Sequence, residues 1–469
     1  MEYLSSRGEA PVLGFADVLL AGLAEDGGLY LPKTWPQLSA ATIRGFAGRP
    51  YADVALEVIR PFVGGDIAEA DLKRMIDEAY ATFRHPAVAP LVQIGPSHFV
   101  LELFHGPTLA FKDVAMQLIA RLMDHVLKER GERATIVGAT SGDTGGAAID
   151  AFAGSERCDI FILFPEGRVS TVQQRQMTTS GSANVHALAV DGTFDDCQAL
   201  VKAMFNDRRF RGAVGLSGVN SINWARIMAQ VVYYFTAAAG LGAPERTVSF
   251  TVPTGNFGDI FAGYVAKRMG LPVDRLVIAT NDNDILARTL ETGRYETAGV
   301  VATSSPSMDI QISSNFERLL FEACGRDGAA VRRMMQQLQQ SKSFSLPADG
   351  LAAIRAEFAA GRSDVGKTGE TIASTLASTA YLLDPHTAVG VAVAQRMQGE
   401  GVMVTLATAH PAKFPDAVRQ ACGLAPDLPP THAGLMEKAE TFDRLPNALD
   451  AVEAYISERS RAARTGATA

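Results

Sequence analysis

Cysteine is scarce in this chain: four residues in 469, Cys158, Cys197, Cys324 and Cys422. They stand far apart, in neither metal-ligand nor disulfide-framework spacing, which excludes a cysteine-based metal module and a stapled secreted scaffold. Cys197 and Cys324 fall in helical patterns and are expected to pack as small hydrophobes. Long apolar runs are absent as well. No stretch of about eighteen uninterrupted apolar residues offers a membrane span. Met1–Arg7 has no basic stretch leading into an apolar one, so no signal peptide is expected. Positive charge is in deficit, with 43 Lys and Arg against 51 Asp and Glu and a formal net charge of −8. That balance argues against a nucleic-acid face and against an anionic membrane surface, while leaving room for a small positive pocket. There is no internal repeat and no low-complexity stretch beyond the final few residues. What remains is a protein expected in the cytoplasm, 47% hydrophobic and able to fill two or three cores.

From about residue 132 short apolar runs alternate with amphipathic helices. Strands are predicted over 134–139, 160–164, 185–190, 213–216, 248–252, 276–279 and 402–407, with helices over 113–131, 193–206, 224–238 and 259–269 between them. This alternation predicts an α/β fold, a parallel sheet covered on both faces, with function in the loops at the strands' carboxyl ends. Residues 1–95, with scattered turns and helices over 36–46 and 52–63, read as a separate N-terminal domain. The core is expected over 96–400, with a smaller subdomain at about 132–222 and a helical elaboration at about 285–380. Residues 401–469 supply a last strand, a loop and a helical tail.

Lys112 stands among Leu109, Ala110, Phe111 and Val114, immediately ahead of a strongly periodic helix. An amine in a dry pocket at a helix N-terminus is pushed towards its neutral form. A neutral amine can form a Schiff base with a carbonyl compound; the alternative is a lysine whose stem crosses an apolar patch. Two strand-to-helix loops offer anion sites through free N–H groups. The first is Thr140-Ser141-Gly142-Asp143-Thr144-Gly145-Gly146, suited to a carboxylate or phosphate. The second is Pro253-Thr254-Gly255-Asn256-Phe257-Gly258-Asp259, where Thr254 and Asn256 can add side-chain donors. Ordinary turn and cap chemistry is the competing reading of each. Asn220-Ser221-Ile222-Asn223-Trp224-Ala225-Arg226 places an arginine, whose planar fork recognises phosphate, just after two further donors. After the last strand, Thr408 offers a hydroxyl that can meet a pyridine nitrogen without forcing its protonation. His410 and Lys413 either serve a substrate phosphate or hold that loop.

Gly361-Arg362-Ser363-Asp364-Val365-Gly366-Lys367-Thr368 fits the nucleotide P-loop letter for letter. It is rejected because Leu351, Ile354 and Phe358 ahead of it keep helical spacing, where the mechanism needs a strand.

Together these segments resemble the threonine synthases with a long N-terminal domain, within the fold-type-II pyridoxal-phosphate enzymes. The resemblance runs through Ser6-Arg7-Gly8, 17–24, 26–30, 105–113, 141–145, 255–259, 383–390 and 407–414, almost the whole length. It implies a tryptophan-synthase-β-like fold: two parallel-sheet, three-layer domains plus the N-terminal domain. It also implies pyridoxal 5'-phosphate bound to Lys112, its phosphate cradled by Thr254, Gly255, Asn256, Phe257 and Gly258, and its ring nitrogen met by Thr408. Asp143 replaces the asparagine usual in the wider class and is carried as a cofactor contact. The implied substrate is O-phospho-L-homoserine, converted with water to L-threonine and phosphate. Its carboxylate would sit on Ser141, Gly142 and Thr144, and its phosphate on Asn220, Ser221 and Arg226, with help from Lys413. Lys112 is the expected catalytic base; no metal is expected, and the protein is expected to be a monomer or homodimer. A serine or threonine dehydratase of the same class is the alternative, and a phosphate-binding relative without chemistry is a further one.

Overall fold

The computed structural model describes residues 1–466 except Gln398 and Glu400. Residues 467–469, the end of the expected tail and of its low-complexity stretch, lie outside the described residues. The fold is α/β, built on two parallel sheets. The larger runs, edge to edge, Phe358–Arg362, Val273–Thr280, Val248–Pro253, Val402–Ala407, His98–Glu102, Leu91–Gly95. Its neighbours are parallel throughout except for the final hairpin, which is antiparallel. Val248–Pro253 is buried at every position, as a parallel strand covered on both faces must be. The smaller sheet orders Asp443–Leu445, Val185–Val190, Cys158–Pro165, Ala134–Ala139 and Leu216–Ser217, all parallel.

The N-terminal stretch pairs Tyr3–Ser5 with Tyr30–Pro32 and adds helices including Tyr51–Val63 and Glu69–Tyr80. In Tyr51–Val63, Val54, Val58, Ile59 and Phe62 form one buried stripe. That stripe packs on helix Trp224–Gly240, where Trp224 meets the rings of Phe62 at 5.6 Å and of Tyr3 and Trp35 at 6.0 Å.

Four sequence expectations are corrected. The strand over 213–216 reduces to Leu216–Ser217, because Ala213 still closes a helical turn, Arg208–Ala213, whose first N–H groups Asp207 caps. The helix over 36–46 shortens to Ala40–Arg44, started by the Ser39 side chain. The tail is not wholly helical, since Asp443–Leu445 adds an edge strand. Finally, a strand does precede the P-loop match: helix Ala348–Glu357 ends where Phe358–Arg362 begins, so helical spacing carried one residue too far. The segment still forms no phosphate cradle. Gly361 is paired within the sheet to Ala279, Gly366 lies inside helix Val365–Thr379, and the Asp364 carboxylate accepts the Lys367 N–H. The Lys367 ammonium turns outward to Glu370 at 3.3 Å.

Candidate active site

Parallel strands send their carboxyl ends the same way, so the loops that follow them are available to a common site. Lys112 opens helix Lys112–Arg130 and is 8% exposed. The loop before it is pinned to the loop after Val402–Ala407. Phe111 N–H donates to Thr408 O at 2.8 Å, His410 N–H to Leu109 O at 3.0 Å, and Ala110 bridges Ala409. Leu109 holds a left-handed φ of 63° to make that approach. Lys112 Nζ lies 4.8 Å from the Phe111 ring centre and 3.4 Å from Asp143 Oδ2. Burial is the largest influence on its pKa and lowers it; Lys413 and Arg226 act the same way, and Asp143 opposes them.

Asp143 is bracketed by cations. Its Oδ1 receives Lys413 Nζ at 2.9 Å and Gln173 Nε2 at 2.9 Å. Burial alone would raise this carboxyl, but the ammonium of Lys413, then that of Lys112, outweighs it and holds the group well below the usual carboxylate range. Lys413, fully buried, also donates to Thr108 O at 2.7 Å. Two of its three donors are thus committed to the protein, away from the substrate role offered for it. His410 caps its own turn, accepting the Ala412 N–H, and burial pushes its pKa down to about 4, so it is neutral.

In the first loop Thr140 Oγ1 accepts the N–H groups of Gly142 and Gly145, both at 2.9 Å. Gly142 therefore spends the donor expected for a substrate. The N–H groups of Ser141, Asp143 and Thr144 donate to no protein acceptor among the described residues and remain for an anion. In the second loop Thr254 Oγ1 donates to Val252 O at 2.6 Å, so its hydroxyl turns away from any ligand. The N–H groups of Gly255, Asn256, Phe257 and Gly258 have no protein acceptor among the described residues. Phe257 sits at φ 64° and caps helix Gly258–Arg268, which aims these groups together. A Cβ on Gly255 would fall 2.8 Å from Ser307 O, so only glycine lets the loop pass.

Arg226, on helix Trp224–Gly240, is 3% exposed and has no carboxylate partner among the described residues; its Nη1 reaches only Val219 O at 3.4 Å. Burial pushes its pKa down to about 10. A buried guanidinium so poorly matched is costly by itself, and an anion brought beside it would offset that cost. Ser221 is half-buried and Asn220 exposed on the loop just ahead of it. Thr408 is 6% exposed; its backbone is held by Thr387 Oγ1 at 3.2 Å, while its own hydroxyl has no partner among the described residues.

Several residues in these contacts were not singled out by sequence. Gln173, Ser307 and Asn315 lie in polar turns or helix starts without a periodic or glycine signal. Asp384 and His386 belong to a matching stretch, and the structure shows their work: Asp384 orients His386, whose Nε2 accepts the Ser307 N–H at 3.2 Å.

A buried lysine whose pKa is lowered by burial, a four-amide cradle and an uncommitted hydroxyl fit the aldehyde, phosphate and ring nitrogen of pyridoxal phosphate. Residues 83–363 match the family model described as pyridoxal-phosphate dependent enzyme, which places the chain in that class. Residues 2–80 match "Threonine synthase N terminus" and residues 387–456 "Threonine synthase, C-terminal". The threonine synthase of Pseudomonas aeruginosa is 53% identical over 98% of both chains. The structure of PLP-bound threonine synthase from Brucella melitensis superposes with a TM-score of 0.96 at 68% identity, over 98% of this chain and 100% of that one. Yeast threonine synthase gives 0.93 at 40% identity over 98% of both. The chain belongs to the threonine synthase family.

Proposed function

We propose that this protein converts O-phospho-L-homoserine and water to L-threonine and phosphate, by γ-elimination followed by addition of water at Cβ. It works on this small molecule in the cytoplasm, without a nucleic-acid or membrane partner. The observation that carries the reading is the pair of anion sites: the amide loop 255–258 and the Arg226 guanidinium, which has no carboxylate partner among the described residues. One phosphate belongs to the cofactor and the other to the substrate.

Lys112 would hold pyridoxal phosphate through Nζ, with Gly255 to Gly258 on its phosphate and Thr408 on its ring nitrogen. When bound, that group supplies an electron sink for carbanions next to the substrate's amine. The chain supplies the rest. The N–H groups of Ser141, Asp143 and Thr144 take the substrate carboxylate. The Lys112 amine, its pKa lowered by burial, removes the proton at Cα and then serves Cβ. Arg226 holds the γ-phosphate as its C–O bond breaks, where added charge on oxygen is stabilised by a fixed, dry cation. Asp143 keeps the lysine nitrogen in place between its two roles.

Incubation with phosphohomoserine should release threonine and phosphate in equal amounts. Arg226→Ala should raise the KM for phosphohomoserine at least about a hundredfold, the worth of a charged, desolvated contact of about 3 kcal/mol. A dehydratase needs no second cation, so unchanged kinetics in that variant, with ketoacid formed from serine or threonine, would favour that activity instead.

A further inference from the structure

The Ser6-Arg7-Gly8 motif lies far from Lys112 in sequence, and the chemistry above leaves it without a task. In the fold it reaches helix Phe316–Ala323. Ser6 Oγ donates to Glu317 Oε1 at 2.6 Å, and Arg7 grips both oxygens of Glu317, Nε to Oε1 and Nη2 to Oε2, each at 3.0 Å. The next residue, Arg318, is fully buried under Trp224 and donates Nε and Nη2 to Tyr30 O, at 3.0 and 2.8 Å. Its Nη2 also reaches Ile222 O at 2.6 Å, and its Nη1 meets Asn315 Oδ1. One short helix start is therefore clamped to two parts of the N-terminal stretch.

Asn315, immediately before that helix, is wholly buried and faces both anion loops. Its Nδ2 donates to Asn256 O at 2.9 Å and to Ser221 O at 3.1 Å, while its N–H donates to Asn256 O at 3.0 Å. Its neighbours add to one side: Ser313 Oγ donates to Gly255 O at 2.6 Å and Ser314 Oγ to Asn256 Oδ1 at 3.2 Å. These bonds go to carbonyl and side-chain oxygens, so the N–H groups of the cradle stay available. The carboxamide touches both loops, and Arg318 fixes which of its ends faces them. A planar donor with its oxygen already engaged can present nothing but N–H to the two carbonyls.

We propose that Asn315, held from behind by Glu317 and Arg318, is a positioning residue that ties the two phosphate loops to each other and to the N-terminal segment. The inference rests on the functional reading, in which the 255–258 loop takes the cofactor phosphate and the 220–226 loop the substrate phosphate. It gives the N-terminal segment a role: setting the distance between two anions that must flank one lysine.

The test is Asn315→Asp, which keeps shape and its partner Arg318 but turns lone pairs towards both carbonyls. Two constants are read on the loaded protein: the rate of pyridoxal phosphate release and the KM for phosphohomoserine. Both should rise about five- to tenfold, the loss of one hydrogen bond at each loop, with kcat falling less than about threefold. Arg7→Gln, remote from both loops, should move the same two constants in the same direction by about twofold, and Asn315→Gln should restore neither. A change in only one constant, or in neither, overturns the tie. Wild-type protein that retains the cofactor but yields no threonine from phosphohomoserine overturns the functional reading instead. Should Asn315→Asp fail to fold, the Arg7→Gln pair of constants decides alone.

Discussion

Asp259 shows how one side chain near the site sets a pH dependence. It follows Gly258 at the start of its helix, buried, with the hydroxyls of Tyr233 and Tyr234 donating to Oδ1. Its Oδ2 has no partner among the described residues. Burial pushes its pKa up to about 7, against the two tyrosines and the positive charge of Lys112. The folded value lies above that of the unfolded chain, so folding favours the protonated form. Stability from this group is present at about pH 4 and is lost as pH rises towards about 7. Asp259→Asn keeps an oxygen for both tyrosines and cannot ionise. The unfolding free energy of wild type minus that of the variant should therefore fall by at most about 4 kcal/mol between pH 4 and 7. Denaturant titrations at three pH values check this, and a difference that stays constant would mean the carboxyl titrates normally. Asp113 behaves likewise: burial pushes it to about 7 although Thr108 donates to both its oxygens. It therefore contributes to the wild-type slope but cancels in the comparison.

At the scale of the element, the loop 254–258 is shaped by what glycine allows and Phe257 enforces. Phe257 is 1% exposed and packs against the rings of Phe316 and Phe358, which holds its left-handed backbone in place. Gly255→Ala would drive a methyl into the Ser307 carbonyl. Backbone there cannot yield without moving Ser307, whose N–H is bonded to His386 and whose Oγ lies 3.4 Å from Asp143. Release of pyridoxal phosphate from this variant should be at least about tenfold faster, with the melting temperature lowered by only a few degrees. An unchanged release rate would show the cradle tolerates the shift. These loops were legible in sequence because glycines and hydroxyls between an apolar run and a periodic helix have a backbone meaning. Lys112 was legible because a lysine among Leu109, Ala110 and Phe111 contradicts a solvated surface. Strand Phe358–Arg362 was not, since Phe-Ala-Ala-Gly-Arg has no β-branched residue and continues a helix's spacing. Asn315 was not, because a polar turn at 313–315 looks like any cap until its partners, Ser221 and Asn256, are brought beside it. Thr254 and Gly142 were read as donors to a ligand, and acceptors nearby in the chain, the Val252 carbonyl and the Thr140 hydroxyl, took them first.

For the whole molecule, the tail completes what the middle of the chain begins. Asp443–Leu445 covers the edge beside Val185–Val190, and Val452 and Ile456 fill a core with Val137, Phe161 and Leu163. Glu440 accepts from Gln174 and Thr178 on the helix that carries Gln173 to Asp143. Removing residues 423–469 exposes that core, and Val452 with Ile456 alone account for about 3–6 kcal/mol. Amide exchange in the truncated protein should quicken across 134–217 far more than across 248–280, with activity lost through Gln173 and Asp143. Equal protection in both regions would contradict it.

The grip of Arg7 on Glu317 spans 310 positions. A ribosome adding about 5–20 residues per second needs some 15–60 s to deliver the second partner after the first. Within that wait the strand pair and helices of residues 1–80 can already dock on helix Trp224–Gly240, but helix Phe316–Ala323, which Arg7 grips, is still to come. The joint to Glu317 closes only after those earlier contacts, so until residue 317 emerges the Ser6-Arg7 corner of a newly made copy is open to chaperones and proteases.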